Sequence, residues 1–429
     1  MTRSSNGWEA LKEDMKASSG YRAPREGEIF KNPTLAQTFR QLAEEGKEGF
    51  YRGRVGETMI RTLQNEGGYH TMEDLQYHLN EDGGCLTPLF IRLLDERPSP
   101  PIEVDLWEHA PNSQGIVALM ALGIIRELEK TDRIIPIAQQ SHNSARYVKE
   151  SYNFNRLIRT SYLHIVIECL RIAFADAIWY ISDPESSNIN FNALLSEDYL
   201  SERSKLFDPK KAAIDLAHGS PAYNVSDTVY LAVVDGDGNA CSFINSVCDK
   251  FGSCIVPPGT GFALQNRGTG FRLDSRHPNV YAPLKRPYHT IIPAMMTKTD
   301  GSLHTVFGVM GGAMQPQGHV QVLLNMLKLG FDPQEALDVP RVCVSVGLPG
   351  KQLETGQAAA QTVFLEEGIH EDVAHELQNM GHQTEIVTGF GRSMFGRGQV
   401  ISVSHDPVTG QKVYCAASDG RGDGAAAPL

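Results

Sequence analysis

The sequence predicts a mixed α/β protein, and three observations support this prediction. Its 429 residues, 41% of them hydrophobic, are enough to bury a sizeable core. Two runs rich in β-branched and aromatic residues flank the turn Asp235–Asn239 and indicate a β-hairpin between Ser226 and Asn245. Helix patterns with recognisable N-caps precede and follow this hairpin. We therefore expect helices packed on sheet, in one large unit or in two average domains.

The residues before the hairpin are predicted to be mostly helical. Asn32 followed by Pro33 is typical of an N-cap with proline in the first turn, and it predicts a helix that ends at Gly46. Apolar spacing and turn residues predict the next elements. These are a helix through Val55 and Leu63, a helix that begins after Thr71, a strand at Glu103–Trp107, a helix at Ile116–Leu128, a buried helix at Tyr162–Ile181 and a surface linker at His218–Ser226.

The residues after the hairpin predict strands and helices in alternation. Asp332–Glu335 reads as a capping box with proline at the first helical position. Hydrophobic periodicity supplies the remaining elements. These are strands at Leu303–Val309 and Thr384–Val387, an amphipathic helix at Gln315–Leu329, a helix at Glu371–Met380, and a hairpin of Val400–Ser404 with Lys412–Ala416.

Charge and cysteine content argue against several classes of partner. The net charge of −12 and the pI of about 5.6 disfavour nucleic acid and anionic membranes. Seven scattered cysteines without a C-x-x-C pair indicate free thiols in a reducing compartment. The chain shows no signal segment and no run of transmembrane length, so we expect a cytoplasmic protein. His370–His375 misses the H-E-x-x-H spacing, and Gly259–Gly261 lacks the rest of a dinucleotide loop, so we predict no metal and no cofactor.

From Thr228 onward the chain resembles a known enzyme family. Thr228 follows an acidic residue and opens a strand that ends in Val-Val-Asp-x-x-Gly-Asn. Further blocks follow in register, and an upstream helix matches as well. They are Leu163–His164, Glu168, Ala173–Asp176, Phe251–Gly252, Gly259-x-Gly261, Asn266, Lys285–Pro287 and Gly311–Gly312. Together these blocks resemble the gamma-glutamyltranspeptidases, also called glutathione hydrolases, and within them a glutathione hydrolase-like branch. These enzymes are N-terminal-nucleophile (Ntn) hydrolases.

The resemblance implies an Ntn-hydrolase four-layer α/β/β/α sandwich. It divides the chain into a partial, mostly helical large-subunit-like region, residues 1–227, and a small-subunit-like region, residues 228–429. We expect the two regions to form one structural domain overall. The family's large subunit normally begins well before the residues that match Gly27–Phe30. We therefore expect the chain to lack the family's earliest N-terminal strands.

The resemblance also assigns the catalytic residues. A threonine hydroxyl is a weak nucleophile at neutral pH, but an N-terminal threonine carries its own base in its free α-amine. Thr228 is the implied nucleophile, so we expect a zymogen that cleaves itself at the Asp227–Thr228 bond. Gly311 and Gly312 follow a predicted strand and precede a predicted helix. Their N–H groups are the expected oxyanion donors.

Five residues are the expected substrate-binding residues. Ser246 and Asn266 match family residues that lie beside the nucleophile and along the substrate region. His289–Thr290 replaces a pair of serines that binds the glutamyl α-carboxylate. Arg267 and Gly270 replace the two residues that hold the α-amine, a glutamine or glutamate and an aspartate. A cation at one position and no acid at the other remove attraction for an ammonium group.

The implied reaction is amide hydrolysis or acyl transfer through a threonyl ester. A gamma-glutamyl compound, such as glutathione or a glutathione conjugate, is the expected donor and small-molecule partner. Two alternatives remain open: an acylase for a non-glutamyl acyl group, which the altered pocket favours, and a catalytically silent truncated homologue. We expect the two self-cleaved fragments to stay associated, and neither nucleic acid nor membrane to be a partner.

Overall fold

The computed structural model describes residues 27–81, 84–140, 152–213, 226–345 and 362–428. The chain divides into two compact units. The smaller comprises Met1–Leu86 with Val247–Asn266, and the larger comprises Thr87–Ser246 with Arg267–Leu429. The junction of residues 227 and 228 falls inside the larger unit, so the division into 1–227 and 228–429 does not coincide with these units. That division, and one structural domain overall, stay predictions.

The helices and strands of the described residues have the following bounds. The helices are α1 (Pro33–Tyr51), α2 (Arg54–Asn65), α3 (Met72–Asn80), α4 (Gly115–Lys130), α5 (Tyr152–Tyr180), α6 (Glu197–Ser204), α7 (Met314–Leu327), α8 (Pro333–Asp338) and α9 (Glu371–Asn379). The strands are β1 (Leu89–Asp95), β2 (Ile102–Glu108), β3 (Ser226–Val234), β4 (Ala240–Asp249), β5 (Ala294–Lys298), β6 (Leu303–Met310), β7 (Val342–Val344), β8 (Thr362–Glu366), β9 (Gln383–Val387), β10 (Arg397–His405) and β11 (Lys412–Ser418).

The smaller unit contains α1, α2 and α3. The side chain of Asn32 caps α1 by accepting a hydrogen bond from the Leu35 amide over 2.9 Å, as the sequence predicts. The predicted end at Gly46 is a bend, with φ of +61°, and the helix resumes to Tyr51. Asn32 also donates to the Gly261 carbonyl over 2.8 Å. A Cβ at Gly261 would lie 2.3 Å from the Leu35 nitrogen, so this close approach requires glycine.

The larger unit is built on a six-stranded sheet with the order β1-β2-β5-β6-β10-β11. All neighbouring strands are antiparallel. Adjacent residues of β6 face opposite sides. Val309 contacts Gly318 of α7, whereas Gly308 lies under the Tyr230 ring of β3. Helices α4 and α7 therefore pack on one face of the six-stranded sheet, and strand β3 of the hairpin packs on the other.

Most of the predicted elements are confirmed, and two further predictions need correction. Ser226, which the sequence places in a linker, begins β3, while the rest of that linker and residues 1–26 lie outside the described residues. Helix α7 is buried on every side and is not amphipathic. Its glutamines find partners inside the protein: Gln317 donates to the Val344 carbonyl over 3.1 Å, and Gln321 donates to the Val342 carbonyl over 2.9 Å.

The sequence analysis does not predict four of the strands, which are β1, β5, β7 and β8. Strands β7, β8 and β9 form a separate three-stranded sheet, in which β8 pairs with β7 antiparallel and with β9 in parallel. No helix in the described part of the chain is long and apolar enough to cross a bilayer.

Candidate active site

Thr228 lies at the start of β3, on the side that faces the six-stranded sheet. Inward and outward residues alternate along the strand, as its pleat requires. Thr228 and Tyr230 are buried, whereas Val229 is 64% exposed. The Thr228 hydroxyl donates a hydrogen bond to the Ser246 hydroxyl of β4, with 3.1 Å between the oxygens. The structure thus brings together the predicted nucleophile and one predicted substrate-binding residue.

Tyr230 sets the distance between β3 and the six-stranded sheet. Its ring lies over Gly308, where an added Cβ would come within 2.4 Å of a ring carbon. Its hydroxyl shares a hydrogen bond of 2.8 Å with Ser242, which in turn donates to the Phe307 carbonyl over 3.3 Å. Because Thr228 is two residues away on the same face, these contacts also set the position of Thr228.

Gly311 and Gly312 form the turn from β6 into α7. Their φ values are +142° and +60°, and residues with side chains rarely adopt such conformations. A Cβ at Gly311 would lie 3.0 Å from the Gly396 Cα. The turn leads into the N-terminus of α7, the helix end at which backbone N–H groups attract negative charge. This environment suits the predicted role of the two glycines as oxyanion donors.

Arg267, His289 and Thr290 lie together in the larger unit. Arg267 Nη1 donates to Thr290 Oγ1 over 3.0 Å. The His289 amide donates to the Asn112 carbonyl over 3.1 Å. His289 is partly exposed as a residue, but its Nδ1 is buried. Burial, reinforced by the positive charge of Arg267, lowers the pKa of His289 to about 3. The ring is therefore neutral beside a permanent cation.

Asn266 belongs to the smaller unit and has a local partner there. Its Oδ1 accepts from the Asp249 amide over 3.1 Å, and its Nδ2 donates to the Asp249 carboxylate over 2.7 Å. Asp227 is part of the β3 backbone. The role of Asn266 in substrate binding and the cleavage at Asp227 both stay predictions.

Sequence reasoning missed Gln114. It ends a buried polar loop, and its amide donates to the Gly312 carbonyl over 2.7 Å and to the Thr290 carbonyl over 3.2 Å. Its own carbonyl accepts from the Tyr288 hydroxyl over 2.8 Å. Gln114 therefore connects the glycine turn to the segment that carries Thr290. In the sequence it reads only as the residue before a helix; the one available signal is the run of polar residues Asn112–Gln114 in front of a wholly apolar stretch.

A cavity of about 190 Å³ is lined by residues of β3, β6 and β10 and by residues 418–424. Its wall includes Val229, which follows Thr228, and Met310, which precedes Gly311. Polar side chains complete the lining, among them Arg397, Gln399 and Asp423. Its lining includes neither Thr228 nor Gly311 nor Gly312, so this cavity does not locate the substrate beside the predicted nucleophile.

His164, Glu168 and His382 bring three possible metal-ligand atoms within 4.8 Å of one another in the described part of the chain. These atoms are already used. His164 bonds the Asp208 carbonyl at 2.7 Å and His382 at 2.8 Å, while Arg171 donates to His382 over 3.0 Å and to Glu168 over 2.8 Å. Burial, with the charge of Arg171, lowers the pKa of His382 to about 3. The neutral His382 ring and the buried Arg171–Glu168 pair satisfy this geometry, and a metal ion would have to displace the Arg171 cation.

Comparison with known proteins identifies the family of the chain. The model of the gamma-glutamyltranspeptidase family matches residues 9–429. The glutathione hydrolase-like YwrD proenzyme of Bacillus subtilis is 30% identical over 407 residues, 94% of this chain and 67% of that protein. The oxamate amidohydrolase proenzyme of Klebsiella pneumoniae is 31% identical over 408 residues, 94% of this chain and 66% of that protein.

A solved structure matches the fold. The crystal structure of a cephalosporin acylase from Bacillus halodurans superposes with a TM-score of 0.74 at 35% identity, over 98% of this chain and 66% of that one. The chain thus spans about two thirds of the length of these relatives. The predicted fold class, the mixed α/β fold of Ntn hydrolases, is confirmed. Since the family model covers nearly the whole chain, the chain belongs to the gamma-glutamyltranspeptidase family, a family of hydrolases and transferases.

Proposed function

We propose that this protein is an amidohydrolase that works through a threonyl ester at Thr228. The observation that carries the proposal is the placement of Thr228, buried at the start of β3 with its hydroxyl 3.1 Å from that of Ser246. In the continuous chain the Thr228 nitrogen is an amide and cannot accept a proton, so cleavage must precede turnover. In that cleavage Thr228 Oγ1 attacks the Asp227 carbonyl carbon, the C–N bond breaks with release of the α-amine, and water hydrolyses the resulting ester.

Turnover repeats this chemistry on a donor amide. The free α-amine takes the hydroxyl proton as Thr228 Oγ1 bonds to the donor carbonyl carbon. Negative charge then develops on the carbonyl oxygen, and the N–H groups of Gly311 and Gly312 stabilise it. As the donor C–N bond breaks, the proton passes to the departing amine and an ester remains on Thr228. Water releases the acid, or an amine acceptor takes the acyl group.

The donor is proposed to carry a carboxylate on its acyl part. Arg267 and the Thr290 hydroxyl, joined by a bond of 3.0 Å, can both donate to a carboxylate. Gamma-glutamyl compounds such as glutathione carry an α-carboxylate and are the first candidate. Support comes from the family itself and from the glutathione hydrolase-like relative.

A second candidate is an acyl group that carries a carboxylate but no ammonium. The charges that lower the pKa of His289 come from Arg267, His109 and Arg286, all of them positive when charged. Such surroundings attract a carboxylate and repel an ammonium. Oxamate, in which the carboxylate adjoins the amide, has this chemistry, and a relative of 31% identity is named for it. A larger acyl group, as in the cephalosporin acylase relative, is the third possibility.

Intact mass and N-terminal sequencing test the proposal. The 47.2 kDa chain is expected to split after Asp227 into two fragments, the second of which begins Thr-Val-Tyr-Leu. Thr228→Ala is expected to remain whole and inactive, and Thr228→Ser to cleave more slowly. Wild-type protein is then assayed with gamma-glutamyl, glutaryl, oxamate and cephalosporin side-chain donors. A chain that stays whole yet hydrolyses amides rules out Thr228 as the nucleophile, and a chain that stays whole and inert supports the silent homologue.

A further inference from the structure

We propose that Gln114 and Gln315 act as a clamp that positions the Gly311–Gly312 turn against the segment of residues 290–292. The inference rests on the proposed function, in which this turn supplies the oxyanion donors. The two glutamines are positioning residues, since they contact the turn and not the reacting atoms.

The Gln114 half of the clamp uses the whole side-chain amide. The residue is fully buried, and its nitrogen donates to the carbonyls of Gly312 and Thr290 over 2.7 and 3.2 Å. The Tyr288 hydroxyl donates to its oxygen over 2.8 Å, which fixes which end of the amide faces the turn. One side chain thus fixes the distance between the glycine turn and the segment of residues 290–292.

The Gln315 half makes a second connection between the same two segments. Gln315 is fully buried in the first turn of α7. Its side-chain oxygen accepts from the Ile292 amide over 3.3 Å, and its backbone amide donates to the Gly312 carbonyl over 3.2 Å. The Gly312 carbonyl therefore accepts from both glutamines.

Two consecutive glycines need such an external restraint. Without a Cβ, Gly311 and Gly312 can adopt many backbone conformations, and only their surroundings select φ values of +142° and +60°. Holding the Gly312 carbonyl from two sides restricts its ψ angle and the direction of the neighbouring peptide groups. Oxyanion stabilisation depends on donor positions to within a few tenths of an ångström, so a released turn lowers the rate of the chemical step more than it weakens binding.

The test compares Gln114→Met and Gln315→Met with Gln321→Met as matched control. Gln321 is a buried glutamine on the same helix whose amide makes equivalent bonds, to Gln317 and Val342, away from the turn. We measure the rate of self-cleavage, and kcat and KM per cleaved molecule with gamma-glutamyl-p-nitroanilide and with oxamate. For the two clamp variants we expect self-cleavage or kcat to fall about tenfold or more, with KM changed less than about twofold. The Gln321 variant should lose a similar amount of thermal stability but keep its rates.

Each outcome decides the inference. Clamp variants whose rates match those of Gln321→Met overturn it. If Gln114→Met does not fold, Tyr288→Phe decides, because it removes only the hydroxyl that orients Gln114; unchanged kcat and unchanged self-cleavage in that variant also overturn the clamp. If the wild-type protein neither cleaves itself nor turns over either donor, both the proposed function and the clamp are wrong. If the wild-type protein is active and the clamp variants are unaffected, only the clamp is wrong.

Discussion

The hydroxyl of Thr228 donates a hydrogen bond to the hydroxyl of Ser246 on the neighbouring strand, with 3.1 Å between the two oxygens. This contact holds the Thr228 side chain in one rotamer before any substrate arrives. It also gives Ser246 a role that can be separated from substrate binding, because the contact exists in the uncleaved chain.

Removal of the Ser246 hydroxyl is expected to slow self-cleavage. Ser246→Ala removes the hydrogen bond that Thr228 Oγ1 donates, and the loss of about 1 kcal/mol corresponds to about a fivefold slower rate. Ser246→Thr keeps the hydroxyl and serves as the control. A time course of intact mass measures the rates. Equal rates for the alanine variant and wild type would show that this contact does not orient the nucleophile.

Loss of the Arg267 cation is expected to weaken binding of donors that carry a carboxylate. Arg267→Met removes a charge-assisted contact worth about 1.5–3 kcal/mol, so KM should rise about tenfold or more. Arg276→Met is the control, since Arg276 is an exposed arginine paired with Asp274. Steady-state kinetics with gamma-glutamyl and glutaryl anilides measures the change and tests whether the des-amino donor competes. A glutaryl donor that binds far more weakly than the gamma-glutamyl donor would contradict the cationic pocket.

Acid is expected to destabilise the protein partly through His289. Its pKa in the folded protein is about 3, whereas an unfolded histidine titrates near 6.5. Between these values the unfolded chain binds a proton at this position that the folded protein does not. The free energy of unfolding therefore falls as the pH falls, by about 2 kcal/mol at most for this residue near pH 5.

Denaturant unfolding at neutral and at mildly acidic pH measures this loss. His289→Asn cannot titrate, so its stability should depend less on pH than that of the wild type. Some dependence should remain, because the pKa of His382 is lowered in the same direction. Identical pH dependence in wild type and variant would mean that His289 is not held neutral.

The outward face of the β3–β4 hairpin is expected to promote self-association. Its exposed apolar residues are Val229, Leu231, Val233 and Phe243, with exposed fractions of 64%, 42%, 45% and 50%. Contiguous apolar surface of this kind favours contact between molecules. Leu231→Lys with Phe243→Lys should shift the sedimentation profile toward monomer. A wild-type sample that is already monomeric and monodisperse would show that this face is harmless in solution.

Local signals predicted the elements that depend on neighbours in sequence. Asn32 caps α1, and the capping box of Asp332 with Glu335 begins α8, because each motif is complete within four residues. Strand β1 was missed because its outward residues Phe90 and Leu94 are apolar too, with exposures of 45% and 40%, so the alternation disappears from the sequence.

Contacts between distant segments were beyond the sequence. Buried glutamines on α7 look like a polar face, because periodicity does not reveal that the backbone of β7, some twenty residues later, satisfies them. In the candidate site, Thr228 lies near the start of the predicted hairpin and Ser246 directly follows its end at Asn245, so the antiparallel pairing of the two runs already brings them near each other. The bond from Gln114 to Gly312 spans 198 residues and needs the complete fold.

The order of strands in the six-stranded sheet governs what cleavage after Asp227 can do. Cleavage would leave β1 and β2 in the first fragment and the other four strands of the sheet in the second. Strand β2 nevertheless pairs with β5, from Val104 opposite Lys298 to Glu108 opposite Ala294. The two polypeptides would thus share one ladder of hydrogen bonds and one hydrophobic core. Separation of the two fragments would then require the larger unit to unfold. We expect no exchange of halves between molecules on mixing, no separation on dilution, and a single melting transition before and after processing.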